Sequence, residues 1–387
     1  MRQLLFSVLL AASFALPTAA QEELSAEVIV HAEGVVEDLD IVFPTAGAEE
    51  EAAAEDAPVS EGQMPAGQVL WAQSFLRSGS GSMQVRLENR GTDPAATGWI
   101  EVLDINGDLV ERINATRLAT DGMIWTNLAF GPFIEILVLG DAGSAPSFAI
   151  SAISFEKSSA RVESIIGADG RQHIIDYSGP FAGVLAMVEG AVAKLTFIKT
   201  EDGFPKRFVC TGFLIGDDLL LTNEHCVNTQ ETCATTKVLF GLSINQFGVA
   251  KPKEQVRCVT VEQVSFPLDY ALLRLEGSPG LRWGKLEFAQ VPPQSGEKIF
   301  IVQHPAGEPK QISDEDCAIN KLSVTGRGQN TDLSHSCDTL GGSSGSPVLN
   351  AGGEVVGLHH LGKQSIGPFA NLNRAVLSSL ITAELGP

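Results

Sequence analysis

The stretch from Gly341 to Pro347, which reads Gly-Gly-Ser-Ser-Gly-Ser-Pro, constrains the fold more than any other part of this sequence. Glycine and proline at this density exclude a helix and leave only the edges of the stretch free to join a strand. Apolar, strand-like runs lie on both sides, which argues against a flexible linker. A serine in so tight a loop can attack a carbonyl carbon while neighbouring N–H groups hold the resulting oxyanion. A catalytic loop between two strands is therefore the first hypothesis.

The overall charge narrows the classes of partner. The formal net charge is −21 over 387 residues. Nucleic-acid binding needs a basic face to neutralise phosphates, so we expect no nucleic-acid partner. The length is sufficient for two domains with hydrophobic cores plus a linker. We expect a monomer.

Residues 1–20 are typical of a signal peptide. Arg2 supplies the positive start, Leu4 to Leu16 is apolar, and small residues end the stretch at Ala20. The apolar run is shorter than the ~20 residues that span a membrane, so no transmembrane segment is expected. We therefore predict a secreted or periplasmic protein.

The part that follows the predicted signal peptide divides into three segments. Residues 21–66 contain many acids and no Lys or Arg, so they are expected to be disordered. Residues 67–157 contain short apolar runs separated by turn signals, which favours an N-terminal β-sandwich serving as an accessory domain or pro-domain. No nucleophile–base set occurs there. Residues 158–179 are predicted to be a connector.

Residues 180–387 again show many strand-length runs, so the chain is predicted to be all-β. One of these runs is Val184–Val188. A single terminal helix is predicted over Arg374–Glu384, with Asn373 as its cap.

All six cysteines lie in this C-terminal part: Cys210, Cys226, Cys233, Cys258, Cys317 and Cys337. An even number in an exported chain indicates disulfides, although the sequence alone leaves about 15 pairings open. No pair has the short Cys-x-x-Cys spacing of a structural zinc site. We expect neither a metal nor a cofactor.

A histidine and an aspartate stand out in this part of the chain. His225 directly precedes Cys226 and follows an apolar run, and a Cys210–Cys226 disulfide would pin the hairpin that presents it. Asp269 directly precedes the apolar run 270–275. A carboxylate beside a buried strand needs a partner, and His225 would be that partner.

Three blocks now resemble the trypsin-like serine peptidases, which have the chymotrypsin fold. They are Thr-x-x-His-Cys at 222–226, Asp-x-Ala-Leu-Leu at 269–273 and Gly-x-Ser-Gly-Ser-Pro at 342–347. They occur in the family's order, and the resemblance covers about residues 163–387. The last block is most similar to the bacterial glutamyl-endopeptidase branch.

The resemblance implies a serine endopeptidase that acts on protein or peptide substrates, with two six-stranded β-barrels and the site in the cleft between them. Ser344 would be the nucleophile, His225 the general base and then acid, and Asp269 the group that orients the imidazole. The amides of Gly342 and Ser344 would form the oxyanion hole. A Cys317–Cys337 disulfide would lie inside the second barrel, which leaves Cys233 and Cys258 for each other.

The resemblance gives conflicting indications of specificity. Thr339 and His359 stand near the offsets at which the glutamyl branch binds a substrate carboxylate, which favours Glu or Asp at P1. Asp338 stands where trypsin places the aspartate that attracts Arg or Lys. Each also has a structural alternative: Asp338 would cap a turn, and His359 would pack beside His360.

Two further hypotheses concern processing and alternative roles. Cleavage after Glu163 would mature a zymogen by removing the acidic segment and the sandwich. A catalytically silent peptide-binding protein, or an envelope-binding protein with an accessory peptidase, is the alternative to an active enzyme.

Overall fold

A computed structural model describes residues 31–43, 68–141, 143–157, 163–246, 250–362 and 372–386. Most of its regular elements are strands, which confirms the predicted all-β class, although short helices are present. The predicted signal peptide lies outside the described residues. Among the described helices, none has both the length and the hydropathy that a membrane crossing requires.

The N-terminal part contains two sheets. Its elements are β1 (His31–Val42), β2 (Val69–Leu76), β3 (Ser82–Asn89), β4 (Trp99–Leu103), β5 (Leu109–Asn114), α1 (Ala115–Asp121), β6 (Met123–Trp125), β7 (Ala129–Phe130), β8 (Phe133–Leu139) and β9 (Phe148–Glu156). Strands β2, β8, β4 and β5 form one antiparallel sheet, and β1, β9, β3 and β6 are adjacent in the other. Side chains from both sheets pack into one hydrophobic cluster that includes Val85, Ile100, Ile136 and Ile150. A separate sandwich domain over 67–157 stays a prediction, because β1 continues its sheet into the next part of the chain.

Strand β1 corrects the expectation of disorder at residues 31–42. It pairs with β9 and also with residues 206–209, so distant parts of the chain satisfy its backbone groups. A bulge at Gly34 brings the strand so close to its neighbour that an added Cβ would lie 2.2 Å from the Phe155 oxygen. Its acids stay on the outer side, where Glu37 pairs with Arg77. Of the remaining predicted disordered segment, only Phe43 is described.

The next elements form the connector and the first barrel. They are β10 (Glu163–Ser164), β11 (Gln172–His173), α2 (Ala182–Val188), a 3-10 turn (Glu189–Ala191), β12 (Val192–Glu201), β13 (Phe204–Leu214), β14 (Leu219–Thr222), α3 (Gln230–Thr235), β15 (Lys237–Phe240), β16 (Ser243–Ile244), β17 (Ala250–Lys251), β18 (Glu254–Ser265), β19 (Tyr270–Leu275) and α4 (Gly280–Trp283). Strands β12, β15, β18, β19, β14 and β13 follow one another in space, and β13 pairs back to β12. This ring is a closed six-stranded antiparallel barrel, as predicted.

The remaining elements form the second barrel. They are β20 (Phe300–Gln303), a 3-10 turn (Pro305–Gly307), β21 (Gln311–Ser313), β22 (Ile319–Val324), β23 (Asp332–His335), β24 (Thr339–Leu340), β25 (Pro347–Leu349), β26 (Val355–Leu361), β27 (Asn373–Leu377) and α5 (Ser378–Leu385). The sheet order is β11, β21, β20, β25, β26, β27, β23, β22. Backbone hydrogen bonds from Ile299 to Cys317 and from Ile319 to Glu297 connect the β22 end of this sheet to the segment just before β20.

Two predicted elements differ from the structure. The run Val184–Val188, predicted as a strand, lies in helix α2. The predicted terminal helix begins later, at Ser378, because Asn373–Leu377 forms strand β27 between β23 and β26. Asn373 is therefore a strand residue and not a helix cap.

Candidate active site

The end of strand β14 presents His225. The chain leaves the barrel at Thr222, whose buried hydroxyl donates to the Thr211 oxygen on neighbouring β13. The Cys210–Cys226 disulfide then ties β13 to the residue after His225. The backbone of this segment is thus held from both sides, which fixes the direction in which the imidazole leaves it.

His225 and Asp269 form a buried pair, as the sequence predicted. The His225 Nδ1 atom lies 2.8 Å from Asp269 Oδ2, and the His225 backbone N–H donates to Asp269 Oδ1 at 3.0 Å. Asp269 has a left-handed backbone with φ of 43°, and Asn223 donates to its carbonyl oxygen. Burial alone would raise the pKa of Asp269, but His225 and His360 hold it far below its usual range. The carboxylate therefore stays ionised beside the imidazole.

The loop that carries Ser344 docks onto the first barrel. Its Ser344 oxygen accepts the Thr211 N–H at 2.8 Å, and the Gly342 oxygen accepts the Thr211 hydroxyl at 2.9 Å. Gly345 has φ of 87°, and a Cβ there would lie 2.0 Å from the Thr211 oxygen, so the approach requires glycine. The same strand β13 thus binds the serine loop and, through Cys210, the histidine segment.

Some polar groups at this junction have no partner within the described residues. The Nε2 atom of His225 is buried without a hydrogen bond. The N–H groups of Gly342 and Ser344 donate to no acceptor among the described residues, whereas those of Ser343 and Gly345 beside them do donate. Buried donors and acceptors without partners are rare in native folds and are typical of sites that bind a ligand.

A wider charged network surrounds Asp269, and the sequence analysis missed it. His360 lies between two carboxylates, with Nδ1 3.0 Å from Asp269 Oδ2 and Nε2 2.7 Å from Asp332 Oδ2. Arg327 bonds to Glu224 and lies 3.2 Å from Asp269 Oδ1. The available signal was the adjacent pair of histidines at 359 and 360, because neighbouring strand residues point to opposite faces.

The predicted specificity residues lie on two second-barrel strands, β24 and β26, and at the position directly before β24. Thr339 is buried in β24, opposite Ser164 of β10. His359 is buried in β26, with Nδ1 3.2 Å from Nε2 of His335, and its burial holds its pKa well below the usual value. Its imidazole is therefore neutral at pH 7.

Asp338 binds the connector. Its Oδ1 atom accepts the Ile166 N–H at 2.7 Å, and its Oδ2 atom accepts the Gly170 N–H at 2.9 Å. Both oxygens thus hold backbone of the same chain. This arrangement matches the structural alternative for Asp338.

The six cysteines form the three disulfides Cys210–Cys226, Cys233–Cys258 and Cys317–Cys337. These are the pairs expected from the hairpin argument and from the resemblance. Within the described chain, a set of three close potential metal ligands occurs at Cys210, His225 and Cys226. The first of the disulfides consumes both sulfur atoms of that set, so these residues do not make a metal site.

The sequence of this chain is similar to a known family and to known proteins. Residues 210–358 match the family model of the trypsin-like peptidase domain. The chain is 35% identical over 213 residues to secreted RxLR effector protein 73 of Plasmopara viticola, covering 52% of this chain and 51% of that protein. It is 28% identical over 181 residues to a glutamyl endopeptidase of Staphylococcus aureus, covering 44% of this chain and 47% of the relative.

The chain therefore spans about half the length of these two curated relatives. The active form of a protease from M. tuberculosis aligns over 59% of this chain and 92% of its own, with 18% identity and a TM-score of 0.42. The segment that matches the family model, residues 210–358, includes His225, Asp269 and Ser344. Residues 210–358 thus match the trypsin-like peptidase domain, and this part of the chain resembles the trypsin-like serine peptidases.

Proposed function

We propose that this chain is a serine endopeptidase in which Ser344 attacks the scissile carbonyl carbon. The observation that carries the proposal is the buried His225–Asp269 pair, whose outer nitrogen Nε2 has no partner among the described residues. The Ser344 loop docks onto the strand that is tied to the histidine segment. A histidine with one nitrogen on a carboxylate and the other free is the arrangement that activates a serine.

In the proposed reaction, His225 Nε2 takes the hydroxyl proton as Ser344 Oγ forms a bond to the carbonyl carbon. Asp269 keeps Nδ1 protonated and stabilises the imidazolium that results. The unbonded N–H groups of Gly342 and Ser344 receive the oxyanion. His225 then gives the proton to the leaving amine as the bond between carbon and nitrogen breaks, which leaves an acyl-enzyme. Water next attacks the acyl carbon while His225 Nε2 takes its proton, and His225 returns that proton to Ser344 Oγ as the ester bond breaks.

We further propose that the enzyme prefers Glu or Asp at P1. The 28% identity to a glutamyl endopeptidase supports this preference. Asp338 does not offer a free carboxylate to a basic side chain, because Ile166 and Gly170 occupy its oxygens. Thr339 and the neutral His359 supply a hydroxyl and an imidazole, both of which can donate to a carboxylate.

Peptide hydrolysis by matched serine variants tests the activity. Ser344→Ala should lower kcat by roughly 10⁴-fold or more, because the nucleophile is lost. Ser346→Ala is the control, since its buried hydroxyl has no partner in the described chain. A wild type that cleaves nothing would favour the catalytically silent alternative, and a Ser344→Ala variant with wild-type kcat would exclude Ser344 as the nucleophile.

A panel of substrates that differ only at P1 tests the specificity in the same assay. We expect Glu and Asp substrates to be cleaved with higher kcat/KM than Arg, Lys or Leu substrates. Cleavage after Arg in preference to Glu would reject the acidic preference and leave the peptidase proposal intact.

Export and maturation belong to the same proposal. The complete pairing of the six cysteines supports a secreted or periplasmic location, where disulfides persist. Cleavage after Glu163 would mature a zymogen, but Glu163 and Ser164 pair with Leu340 and Thr339, so strand β10 must first leave β24. N-terminal sequencing of the active form tests both points: Gln21 would indicate removal of the signal peptide alone, and Ser164 would indicate zymogen cleavage.

A further inference from the structure

His360 connects the two barrels directly behind the proposed catalytic pair. It lies on β26 of the second barrel, whereas Asp269 precedes β19 of the first. Asp269 and His360 are fully buried side chains, and so is Asp332 on β23. The four groups His225, Asp269, His360 and Asp332 therefore form a continuous hydrogen-bonded row from the site into the second barrel.

The geometry determines the charge of His360. A neutral imidazole carries one N–H donor and one acceptor nitrogen, and only the imidazolium donates from both. Both nitrogens of His360 lie within 3.0 Å of carboxylate oxygens. Asp332 is oriented by the Thr331 hydroxyl, which donates to its other oxygen. The arrangement is satisfied when His360 is a cation between two carboxylates.

The surrounding groups favour the same state. Burial would lower the pKa of His360, but Asp332 and Asp269 outweigh it and raise that pKa to about 9. The ionisable groups that face the row belong to several elements: Lys199 on β12, Glu224 and His225 after β14, Arg327 before β23, His335 on β23, His359 on β26 and Arg374 on β27. Burial keeps His335 neutral, with its pKa lowered to about 3, and the nearby His360 cation acts in the same direction.

We propose that His360 and Asp332 are positioning residues for the peptidase reaction, acting through Asp269. His360 donates to the same Asp269 oxygen as His225, so it fixes the carboxylate that orients the catalytic imidazole and joins the barrel of His225 to the barrel of Ser344. Its positive charge also offsets one of the two buried carboxylates. That offset reduces the negative field that the two carboxylates exert on the His225 imidazole. This inference rests on the proposed function.

Two substitutions separate the charge from the hydrogen bond. His360→Asn keeps a donor near the position of Nδ1 but removes the cation. Asp332→Asn keeps the shape of the side chain but removes the carboxylate that stabilises the cation. In His360→Asn we expect the acid limb of the kcat/KM profile to move up by roughly one pH unit, because both carboxylates remain without the cation. In Asp332→Asn the cation and the more distant carboxylate are lost together, so the limb should move in the same direction by a smaller amount. We expect kcat on the plateau to fall about tenfold with KM changed less than twofold.

His335→Gln is the comparison variant. It removes a buried imidazole from a strand of the same sheet without a bond to either carboxylate, so the acid limb should keep its wild-type position. An acid limb that stays in place in both His360→Asn and Asp332→Asn would overturn the inference. A fall in activity without a shift of the limb would assign the two residues a structural role only.

Ring-nitrogen NMR of the full chain makes the test independent of activity. We expect both nitrogens of His360 to be protonated at pH 7.5 and to lose the cation near pH 9. A single protonated nitrogen at pH 7.5 would overturn the inference even in an active enzyme. A doubly protonated ring in a protein without peptidase activity would instead contradict the proposed function and leave the charge assignment standing.

Discussion

At the scale of the residue, the buried histidines of the second barrel differ in charge although they are close together. His335 and His359 contact each other and have lowered pKa values, about 3 for His335, because burial disfavours the cation. His360 has a raised pKa because it lies between carboxylates. The surroundings alone give the three imidazoles different pKa values, so residue type does not reveal which of them is charged.

These shifts predict how the free energy of unfolding depends on pH. The contribution of His335 and His359 is present above their unfolded pKa of 6.5 and is lost as the pH falls below it, because the unfolded chain binds the extra protons. The contribution of His360 has the opposite sign: it is full below 6.5 and is lost as the pH rises through about 9. We therefore expect these groups to give highest stability near pH 6.5.

Urea denaturation between pH 4 and pH 10 measures this dependence. His335→Gln should make the loss between pH 6.5 and pH 4 shallower, and His360→Asn should remove part of the loss on the alkaline side. A free energy of unfolding that stays constant from pH 7 to pH 5 would contradict the assignment of neutral buried imidazoles.

The motifs predicted His225, Asp269 and Ser344 as a set because each lies in a short local pattern. The structure brings His225 and Asp269 into contact. The roles of His360 and Asp332 had no such pattern, since they depend on contacts between strands far apart in sequence. For Asp338 the sequence suggested a role in substrate specificity, but its carboxylate binds the backbone of the connector.

At the scale of the element, the strands of the first barrel were predictable, whereas some helix and strand assignments were not. The run Val184–Val188 is apolar enough for a strand, yet Val184 and Val188 lie four apart on one helical face that packs near Gly353. Asn373–Leu377 has a helical pattern but forms a strand, because ladders on both sides satisfy its backbone. Tertiary contacts decided both cases.

The Cys210–Cys226 disulfide is predicted to support activity as well as stability. Replacing both residues by alanine removes a crosslink between positions 16 apart and should lower the free energy of unfolding by about 3 kcal/mol. We also expect kcat to fall, by about tenfold, because β13 no longer restrains the segment that presents His225. Denaturation and steady-state kinetics measure the two effects.

The Cys233–Cys258 disulfide provides the matched control. It joins α3 to β18 and spans 25 positions, so its removal should destabilise the fold by a similar amount, about 3 kcal/mol. The kcat of the folded control should change less than that of the Cys210/Cys226 variant. Equal losses of kcat in the two variants would show that the first disulfide has no special role at the site.

At the scale of the whole molecule, the N-terminal strands are joined to the first barrel by more than the connector. Strand β1 pairs with both β9 and β13. The buried Arg207 guanidinium donates to the hydroxyl and the carbonyl oxygen of Ser82, and Lys237 Nζ donates to the Trp125 oxygen at 2.9 Å. These contacts are hydrogen bonds from buried cations. Removing one partner leaves a buried charged group unpaired, which lowers the free energy of unfolding.

We therefore expect the N-terminal part to stay bound after the connector is cut. A protease site introduced at residues 158–162 would allow cleavage of the folded protein, and size-exclusion chromatography would then show whether both pieces elute together. Arg207→Met in the cut protein should weaken their association. Separate elution of the wild-type pieces would mean that cleavage alone releases the N-terminal part, as a removable pro-domain requires.

The central claim is that His225 activates Ser344 as a nucleophile, and mass spectrometry after treatment with a fluorophosphonate tests it most directly. The account predicts one covalent adduct per wild-type chain, mapped to Ser344, with labelling at least about 10³-fold slower in His225→Ala. Labelling that is absent from the folded wild type, or that maps to another serine, would contradict the claim.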